Sequence, residues 1–440
     1  MRASLRVPVA LAIGVVIGVG VSVGHSVLAD RSDATTQSAL PVTELQNFVV
    51  VLDRVKRDYV EPVSDKKLID LALHGMLSGL DPHSSYMDPQ EYKDMNAVTS
   101  GKFGGLGIEV TGADGVIRVV SPIDDTPAAK AGIKAGDLIV KINDTAVAGL
   151  SLTDAVNQMR GKPGTKITLT IIRKDAPKPI VVTLTREIIH VKSVRSKMLE
   201  PGYGYIRISQ FSTGTGDAVR EQLRDLEKQA GGKLKGLVLD LRNNPGGVLT
   251  SAVKVANTFL DKGDIVSIRG RDKDSNHVWK AQAGERMYAG PMVVLVNGGS
   301  ASASEIVAGA LKDDRRAVLV GSRTFGKGSV QTIIPLADGS ALRLTTARYY
   351  TPNGQSIQGE GIIPNVELQP AKVEAGASSA LTLHESDLSG HLTNPELSQF
   401  DDKEDESKKV DETEQKLAGD DYGLYQGLVI LKGLVSVGAR

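Results

Sequence analysis

The sequence predicts an α/β protein in which a β-rich module lies between a helical N-terminal region and a layered α/β region. Three observations support this fold class. Strand-like and helix-like segments alternate across residues 190–370, as in layered α/β domains. Short β-runs divided by Gly and Pro occupy residues 101–189. Apolar residues recur at helical spacing within residues 43–100.

Composition limits the classes of function. The 440 residues suffice for two or three domains, at roughly 100–200 residues per domain. Because 52 Lys and Arg are balanced by 52 Asp and Glu, no basic excess exists to hold a polyanion, and nucleic acid is not expected as a partner. The count of 0 cysteines excludes disulfides, a cysteine nucleophile and thiolate metal ligands.

The first 29 residues have the pattern of a secretory signal peptide. Arg2 and Arg6 precede an uncharged stretch over residues 7–24, and small residues stand at the −3 and −1 positions of a cut after Ala29. We therefore expect export and cleavage after Ala29. An uncleaved inner-membrane anchor is the alternative, although the apolar run is short of the roughly 20 residues that span a bilayer.

Residues 43–100 are predicted to be helical. Thr43 followed by Glu44 indicates a helix cap, and the apolar faces of two successive helices favour self-association. A turn at residues 81–86 follows the second helix. His83 in that turn is expected to make local hydrogen bonds rather than bind a metal, since no second ligand stands at metal spacing. We predict no metal site and no cofactor.

Residues 101–189 have the pattern of a peptide-binding module. A Gly-rich loop opens a strand and can present backbone N–H groups to a carboxylate, while a helix over residues 151–159 supplies an apolar wall. The ordered motifs Gly-Gly-Leu-Gly-Ile, Ala-Ala-Lys-Ala-Gly and Gly-Asp-Leu-Ile resemble a PDZ domain, which implies capture of a peptide C-terminus. A β-rich interaction module without a peptide groove is the alternative. The expected loop residues are Gly105, Leu106, Gly107 and Ile108, and the expected wall residues are Leu152, Val156 and Met159.

In residues 190–370, a strand over 293–296, a Gly turn and a helix start bring three serines together. A serine on such a turn places its hydroxyl at a helix N-terminus, where the dipole and free N–H groups favour an oxyanion. Ser300, Ser302 and Ser304 compete for this role, and serines at such positions are commonly caps. The pattern of residues does not decide among the three.

Lys327, flanked by glycines, is the better candidate for a base than His190 or His277. Burial of a lysine lowers its pKa, so that the neutral amine can take a proton from serine. Gln331 is a candidate to hold this amine by a hydrogen bond. The alternative is that Lys327 is an exposed lysine in a surface turn, as most lysines are. The bend Asn-Pro-Gly-Gly at 244–247 exposes backbone N–H groups suited to an oxyanion hole.

Three motifs follow the module in order: Asp-Leu-Arg-Asn-Asn-Pro-Gly-Gly at 240–247, Asn-Gly-Gly-Ser-Ala-Ser-Ala-Ser-Glu at 297–305 and Thr-Phe-Gly-Lys-Gly-Ser-Val-Gln at 324–331. With the PDZ-like module, they resemble the carboxy-terminal processing proteases, the tail-specific serine peptidases of family S41. The similarity covers about residues 43–370 and implies a crotonase-like β/α core. By motif position it implies Ser302 as nucleophile, Lys327 as general base, Gln331 as its orienting partner, and an oxyanion hole from Gly246 or Gly247 with Ala303.

The resemblance also implies a biological setting. Relatives in Gram-negative cells act in the periplasm on envelope proteins, some of them cell-wall hydrolases, with help from a tetratricopeptide-repeat adaptor. We therefore expect a periplasmic endopeptidase that binds substrate C-termini and forms a homo-oligomer. Arg160, at the end of the module's helix, is a candidate regulatory link to the catalytic pair. The alternative is a PDZ scaffold with a latent or partner-activated peptidase core.

The C-terminal part lies outside the region of resemblance. Residues 371–421 are expected to be an acidic, disordered linker, because residues 401–421 are dense in Asp, Glu and Lys and almost without apolar residues. Residues 422–440 are apolar again and predict a helix. Because a charged tether precedes this helix, we expect it to dock on another subunit or partner, with a return onto its own domain as the alternative.

Overall fold

The computed structural model describes residues 41–113, 115–123, 125–174, 176–369 and 414–438. The predicted signal peptide and most of the predicted linker lie outside these residues. The chain divides into two compact units, one up to Met76 and one from Leu77 onward. Within the described ranges, no helix combines the length and apolar character needed to cross a membrane.

The first unit is helical. It contains α1 (Val42–Asp58) and most of α2 (Asp65–Ser78). Pro41 precedes α1 and no side chain caps it, so the expectation that Thr43 is the cap is wrong, because Thr43 lies inside the first turn. None of the 17 residues of α1 is buried, which leaves its apolar side chains in contact with solvent.

The second unit opens with β1 (Ser85–Met87) and α3 (Pro89–Ser100). Asp88 caps α3: its carboxylate accepts from the N–H groups of Gln90 and Glu91, both at 2.8 Å. Gly101, with φ of 67°, ends the helix in the left-handed region. These local signals fix the direction in which the chain enters the β-rich module.

The β-rich module is an antiparallel sheet with a helix packed beside it. A short ribbon of β2 (Lys102–Gly105) and β9 (Glu187–His190) joins it to the rest of the chain. The strands of its sheet are β3 (Ile108–Ala113), β4 (Val116–Pro122), β5 (Leu138–Ile142), β6 (Thr145–Ala146), β7 (Lys166–Ile172) and β8 (Ile180–Thr185). The sheet order is β3-β4-β5-β7-β8, with β6 beside β5. Alternate residues of the strands form a closed apolar core of their own. The helices of the module are α4 (Pro127–Lys130) and α5 (Leu152–Met159).

A larger α/β region follows the module. Its strands are β10 (Val194–Glu200), β11 (Tyr203–Ile208), β12 (Gly236–Asp240), β13 (Asp264–Gly270), β14 (His277–Lys280), β15 (Met292–Val296), β16 (Val318–Gly321), β17 (Ser329–Pro335), β18 (Ala341–Tyr350) and β19 (Val366–Glu367). Its helices are α6 (Thr215–Gln229), α7 (Leu249–Asn257), α8 (Ala303–Asp313) and α9 (Tyr422–Gly438), with a 3₁₀ turn at Lys273–Ser275.

The main sheet of this region has the order β10-β11-β12-β15-β16-β19 and is parallel apart from the β10–β11 pair. Every residue of β12 and β15 is buried, as expected for strands covered on both faces. Helices α6, α7 and α8 share one apolar core with this sheet. A second sheet, containing β1, β13, β14, β17 and β18, carries the β17–β18 hairpin.

The C-terminal helix packs on its own chain. Leu424 and Leu431 of α9 share a core with Val238, Val293 and Leu295, on the opposite face of the main sheet from α8. The expectation that this helix docks on another subunit is therefore wrong, because its apolar face covers the apolar sheet face of the same chain. Residues 414–420, predicted as linker, are helical, and Leu417 packs against the same core.

Candidate active site

The turn between β15 and α8 holds Ser302 in an unusual conformation. Ser302 has φ of 53° and ψ of −110°, in the positive-φ region that non-glycine residues rarely adopt. Its N–H donates to Glu305 Oε2 at 2.7 Å, which helps to hold the conformation. The side chain thereby lies at the N-terminus of α8 and is 7% exposed.

The other two serines of the motif have structural contacts. Ser300 Oγ donates to the carbonyl of Leu241 at 2.8 Å, and Ser304 Oγ donates to the carbonyl of Asn244 at 2.9 Å. Both side chains are fully buried. They therefore tie the helix start to the loop that follows β12, and Ser302 alone of the three lines the cavity described below.

Glu305 joins the serine turn to the lysine turn, a role that the sequence analysis missed. Its carboxylate is fully buried and accepts four hydrogen bonds. The donors are Ser302 N–H (2.7 Å), Thr324 Oγ1 (2.6 Å), Gly326 N–H (2.7 Å) and Lys327 N–H (2.9 Å). One side chain thus fixes the backbone at both proposed catalytic residues. Its place three positions after Ser302 was visible as a capping pattern, but its long-range partners were not.

The loop from Asp240 to Gly247, which we call the oxyanion loop, passes directly beside Ser302. A Cβ added to Gly246 would lie 2.7 Å from the Ala301 carbonyl and 2.9 Å from the Ala303 nitrogen, so only glycine fits there. The Gly246 N–H donates to Asn244 Oδ1 at 2.9 Å. Among the described residues, no hydrogen bond engages the N–H of Gly247 or of Ala303, which leaves this pair able to receive an oxyanion.

A cavity of 480 Å³ brings the proposed site residues together. Ser302, Lys327, Gln331, Gly246 and Gly247 all line it, although they come from three separate parts of the sequence. The remaining wall is mostly apolar: Met95, Val98, Phe211, Pro245, Val248, Leu249, Val330, Ile333 and Tyr349, with Thr99 and Gln210. Low polarity around the amine and the hydroxyl strengthens their electrostatic interactions.

Electrostatics around Lys327 favour a neutral amine. Burial lowers the pKa of Lys327, and the charge of Arg343 lowers it further, against the opposite influence of Asp81 and Glu305. Burial also raises the pKa of Tyr349 to about 12, so its hydroxyl stays protonated beside Ser302. A neutral amine at the edge of the same cavity as a serine hydroxyl can act as a general base.

Gln331 lines the cavity but contacts groups other than the lysine amine. Its Nε2 donates to Ser329 Oγ at 2.9 Å and to Thr345 Oγ1 at 3.2 Å. Across the described ranges, no hydrogen bond joins Gln331, or Ser302 Oγ, to the amine of Lys327. The hydroxyl of Thr345 donates in turn to Asp81 Oδ1 at 3.1 Å, which connects the glutamine to the turn at 81–86.

His83 lies in that turn without the surroundings of a metal ligand. Its carbonyl accepts from Arg343 Nε at 3.0 Å. Burial and the nearby charge of Lys327 lower the pKa of its imidazole. Among the residues that the structure describes, no group of His, Asp and Glu side chains could hold a metal ion.

The β-rich module has a separate groove of 100 Å³ between β3 and α5. It is lined by Phe103, Gly105, Leu106, Gly107, Ile108, Val110, Val156, Met159 and Arg160. Leu152, expected in the wall, lies outside this lining and is 39% exposed. The other loop and helix residues expected at the groove are in place.

Arg160 ends the module's helix and reaches α3. Its Nη1 donates to Asp94 Oδ1 at 2.6 Å, and its guanidinium lies 5.3 Å from the ring centre of Phe103. Met95 and Val98, one and four positions after Asp94 in the same α3, line the cavity around Ser302. A continuous set of contacts therefore runs from the groove to the catalytic cavity.

A polypeptide-binding module attached to an α/β core with a serine-containing cavity is the organisation of a serine peptidase that selects its substrates by their chain ends. Comparison with known families supports this class: a model of peptidase family S41 matches residues 202–368, and a PDZ-domain model matches residues 104–184. A model described as the activating protease CtpB N-terminal domain matches residues 21–91.

The chain belongs to the carboxy-terminal-processing proteases. It is 50% identical over 367 residues to the carboxy-terminal-processing protease of Bartonella bacilliformis, covering 83% of this chain and 84% of that protein. It is 39% identical over 345 residues to the carboxy-terminal processing protease CtpA of Bacillus subtilis, a match that covers 78% of this chain and 72% of that protein. The solved photosystem II D1 C-terminal processing protease is 34% identical, with 74% of this chain and 93% of that chain covered and a TM-score of 0.44.

The family models and the two sequence relatives confirm the resemblance, and the α/β region with its β-rich module confirms the predicted fold class. The protein is an S41 serine peptidase with a PDZ domain, the module of residues 104–184 that binds protein C-termini. We use the name PDZ module for it from here on.

Proposed function

We propose that the protein is a periplasmic serine endopeptidase in which Ser302 is the nucleophile and Lys327 the general base. The observation that carries this proposal is the shared cavity. Ser302 lies there at a helix N-terminus, and the same cavity is lined by a lysine whose pKa is lowered by burial. The predicted signal peptide over residues 1–29 supports the export that a periplasmic location requires.

The proposed reaction uses only side chains and backbone of this chain. A substrate C-terminus binds in the groove of the PDZ module, and a more internal segment enters the cavity. Ser302 Oγ attacks a peptide carbonyl while its proton passes to the neutral amine of Lys327. The N–H groups of Gly247 and Ala303 stabilise the oxyanion. The lysine then protonates the leaving amine, and water, deprotonated by the same lysine, releases the acyl group.

The cavity wall supports a preference for apolar side chains next to the cleaved bond. Met95, Val98, Leu249 and Ile333 offer no charged partner to a substrate side chain, and burying an unpaired charge there is costly. Envelope proteins, including cell-wall hydrolases, are the proposed substrates. A homo-oligomer and a tetratricopeptide-repeat adaptor are the proposed partners, and we propose that no cofactor is required.

A latent, partner-activated form of the enzyme is the second candidate. It is favoured by the position of Gln331, whose amide donates to Ser329 and Thr345 rather than to the lysine amine. In this form a substrate or adaptor would have to change the hydrogen bonds of Gln331 before the lysine is oriented. A scaffold with no activity at all has less support, because the cavity retains serine, lysine and glutamine together.

The test is cleavage of an unstructured polypeptide by the purified chain from Asp30 onward. We expect cleavage by the native chain and none by Ser302→Ala or Lys327→Met. Lys280→Met is the matched control, since Lys280 is an exposed residue paired with Asp264 and should leave the rate unchanged. Cleavage that persists in Ser302→Ala would contradict the nucleophile assignment, whereas an inactive native chain would favour the latent form.

A further inference from the structure

The C-terminal helix contacts the oxyanion loop through one ion pair. Asp421, at the N-terminus of α9, accepts two hydrogen bonds from Arg242: Nη1 to Oδ1 at 2.8 Å and Nη2 to Oδ2 at 2.7 Å. The same carboxylate accepts from the N–H of Leu424 at 3.0 Å, so it also caps the helix. Asp421, which lies 179 positions further along the chain, is thus held against Arg242, the third residue of the oxyanion loop.

Arg242 in turn holds the start of that loop. Its Nε donates to Asp240 Oδ1 at 3.0 Å and its Nη2 to Asp240 Oδ2 at 2.7 Å, while its own N–H donates to Asp240 Oδ1 at 2.9 Å. Asp240 is fully buried and also accepts from Tyr205 and Arg207. Two carboxylates and two guanidinium groups therefore balance one another at the end of β12.

The loop beyond Arg242 leads directly to the proposed oxyanion site. Asn243 has a positive φ of 55°, and its N–H donates to Asn297 Oδ1 at 2.9 Å. Asn244 follows, and its carbonyl accepts the hydroxyl of Ser304. Gly246 and Gly247 come next and line the cavity. A shift of the Arg242 side chain and backbone would therefore be transmitted over five residues to the N–H of Gly247.

The docking of α9 has a second polar contact at its other half. Lys432 Nζ lies 2.7 Å from Glu200 Oε1 and also pairs with Glu414. None of these residues belongs to the oxyanion loop or to the catalytic cavity. Of these two polar contacts between α9 and the rest of the described chain, the one at Asp421 reaches the oxyanion loop and the one at Lys432 does not.

We propose that Asp421 is a positioning residue of the peptidase, and that docking of α9 completes the active site by holding Arg242 and the oxyanion loop in place. This inference rests on the proposed function of Ser302 and Gly247. Without the carboxylate, Arg242 loses the bidentate ion pair with residue 421, and the charge balance around Asp240 is lost. The N–H of Gly247 is then less well placed for the transition state, while substrate binding at the PDZ module is unaffected.

The experiment compares Asp421→Asn with Lys432→Met in the full mature chain. Asparagine can still cap the helix but cannot form the ion pair with Arg242, whereas Lys432→Met loosens the same helix at its other contact. We expect Asp421→Asn to lower kcat by about ten- to a hundredfold, the scale of a misplaced catalytic group, with KM unchanged. The rate at which a fluorophosphonate labels Ser302 should fall in parallel. Lys432→Met should lower Tm by a similar amount and leave kcat at the native value.

Further variants keep the outcome decisive. Asp421→Glu retains the charge and should recover part of kcat, and it serves in place of Asp421→Asn if that variant does not fold. An unchanged kcat in Asp421→Asn, or an equal fall in Lys432→Met, would overturn the positioning role. Ser302→Ala, measured in parallel, separates the two hypotheses. If Ser302→Ala is inactive and Asp421→Asn has the native kcat, the positioning role is rejected and the proposed function stands. If Ser302→Ala retains activity, the proposed function is rejected.

Discussion

Glu305 shows how a single buried carboxylate can organise a catalytic site. It is fully buried, yet its four donors satisfy both oxygens and come from the two turns that carry Ser302 and Lys327. Three of the four donors are backbone N–H groups, which fix main-chain positions directly. The precise separation of the two turns thus depends on this residue, although it is not assigned a role in the chemistry.

Glu305→Gln should therefore reduce both stability and activity. The amide group places an N–H₂ where an oxygen accepts, so at least one buried donor is left unpaired, at a cost of about 1–3 kcal/mol. We expect a lower Tm and a lower kcat, measured by thermal unfolding and peptide cleavage. Glu360→Gln is the control, because Glu360 is an exposed residue on the surface near Arg323. Native kcat and Tm in Glu305→Gln would show that the carboxylate is not needed.

The lowered pKa of Lys327 predicts the pH dependence of catalysis. Because burial favours the neutral amine, the base is available at pH values above its pKa and is lost as the pH falls through that value. We expect kcat to fall on acidification with a single protonation, and the pH of half-activity to lie below the ordinary lysine range. The profile of kcat against pH measures this. A midpoint in the ordinary lysine range would contradict a buried neutral base.

At the scale of elements, the groove between β3 and α5 separates recognition from chemistry. Its lining is apolar, with Leu106, Ile108, Val156 and Met159 around a small space suited to one side chain. The groove and the catalytic cavity are lined by different residues. A change inside the groove should therefore affect substrate capture more than the catalytic step.

Val156→Asp should raise KM for a substrate with an apolar C-terminus. The carboxylate would stand in an apolar groove without a cationic partner other than Arg160 at its rim, and burying an unpaired charge is unfavourable. We expect KM to rise about tenfold or more, the scale of losing one buried apolar contact, with kcat little changed. Val181→Asp, at a 66% exposed valine of the same PDZ module, is the control. Equal KM values for both variants would exclude this groove as the binding site.

The sequence predicted the elements well where local signals are strong. A run of mostly apolar residues predicts a strand over 138–142, and the structure has that strand at Leu138–Ile142. The helix predicted over 151–159 runs from Leu152 to Met159, because the hydroxyl of Ser151 caps it. The sequence also predicts a helix near residues 251–260, but this helix begins at Leu249 and ends at Asn257, since the Gly-Gly turn leads into it directly. The start of this helix is thus displaced by two residues and its end by three.

Site features that depend on distant contacts were harder to predict. The resemblance selected Ser302 among three serines, and the hydrogen bonds of Ser300 and Ser304 give a physical reason that no local pattern contains. The hydrogen bonds of Glu305 with Thr324, Gly326 and Lys327 and the packing of α9 on the main sheet join residues far apart in sequence. Periodicity and motif spacing report on neighbours in the chain, so they do not reveal such contacts.

At the scale of the whole molecule, the proposed homo-oligomer needs a surface for a second copy, and α1 offers one. Its exposed apolar side chains include Val42, Leu45, Phe48, Val49, Val51 and Val55. Exposure of these apolar side chains to water is unfavourable, and pairing with the same face of a second copy would remove them from solvent.

The double change Phe48→Glu with Val51→Glu should therefore lower the mass of the mature chain in sedimentation velocity. These residues lie three positions apart and share one side of the helix, so like charges would meet across a symmetric interface. Gln46→Glu with Asn47→Glu adds the same charge to the same helix and is the control. An identical mass for both double variants and the native chain would show that α1 does not join the copies.

The PDZ module enters and leaves the molecule through adjacent strands, because Lys102 of β2 pairs with His190 of β9, and Gly105 with Glu187. Its two ends are therefore neighbours in space, although almost ninety positions lie between them along the chain. Such an attachment makes the module exchangeable, because another domain whose termini lie equally close together could be joined to the same two strands, β2 and β9. Evolution could thus alter which chain ends are selected while leaving the hydrolytic machinery untouched.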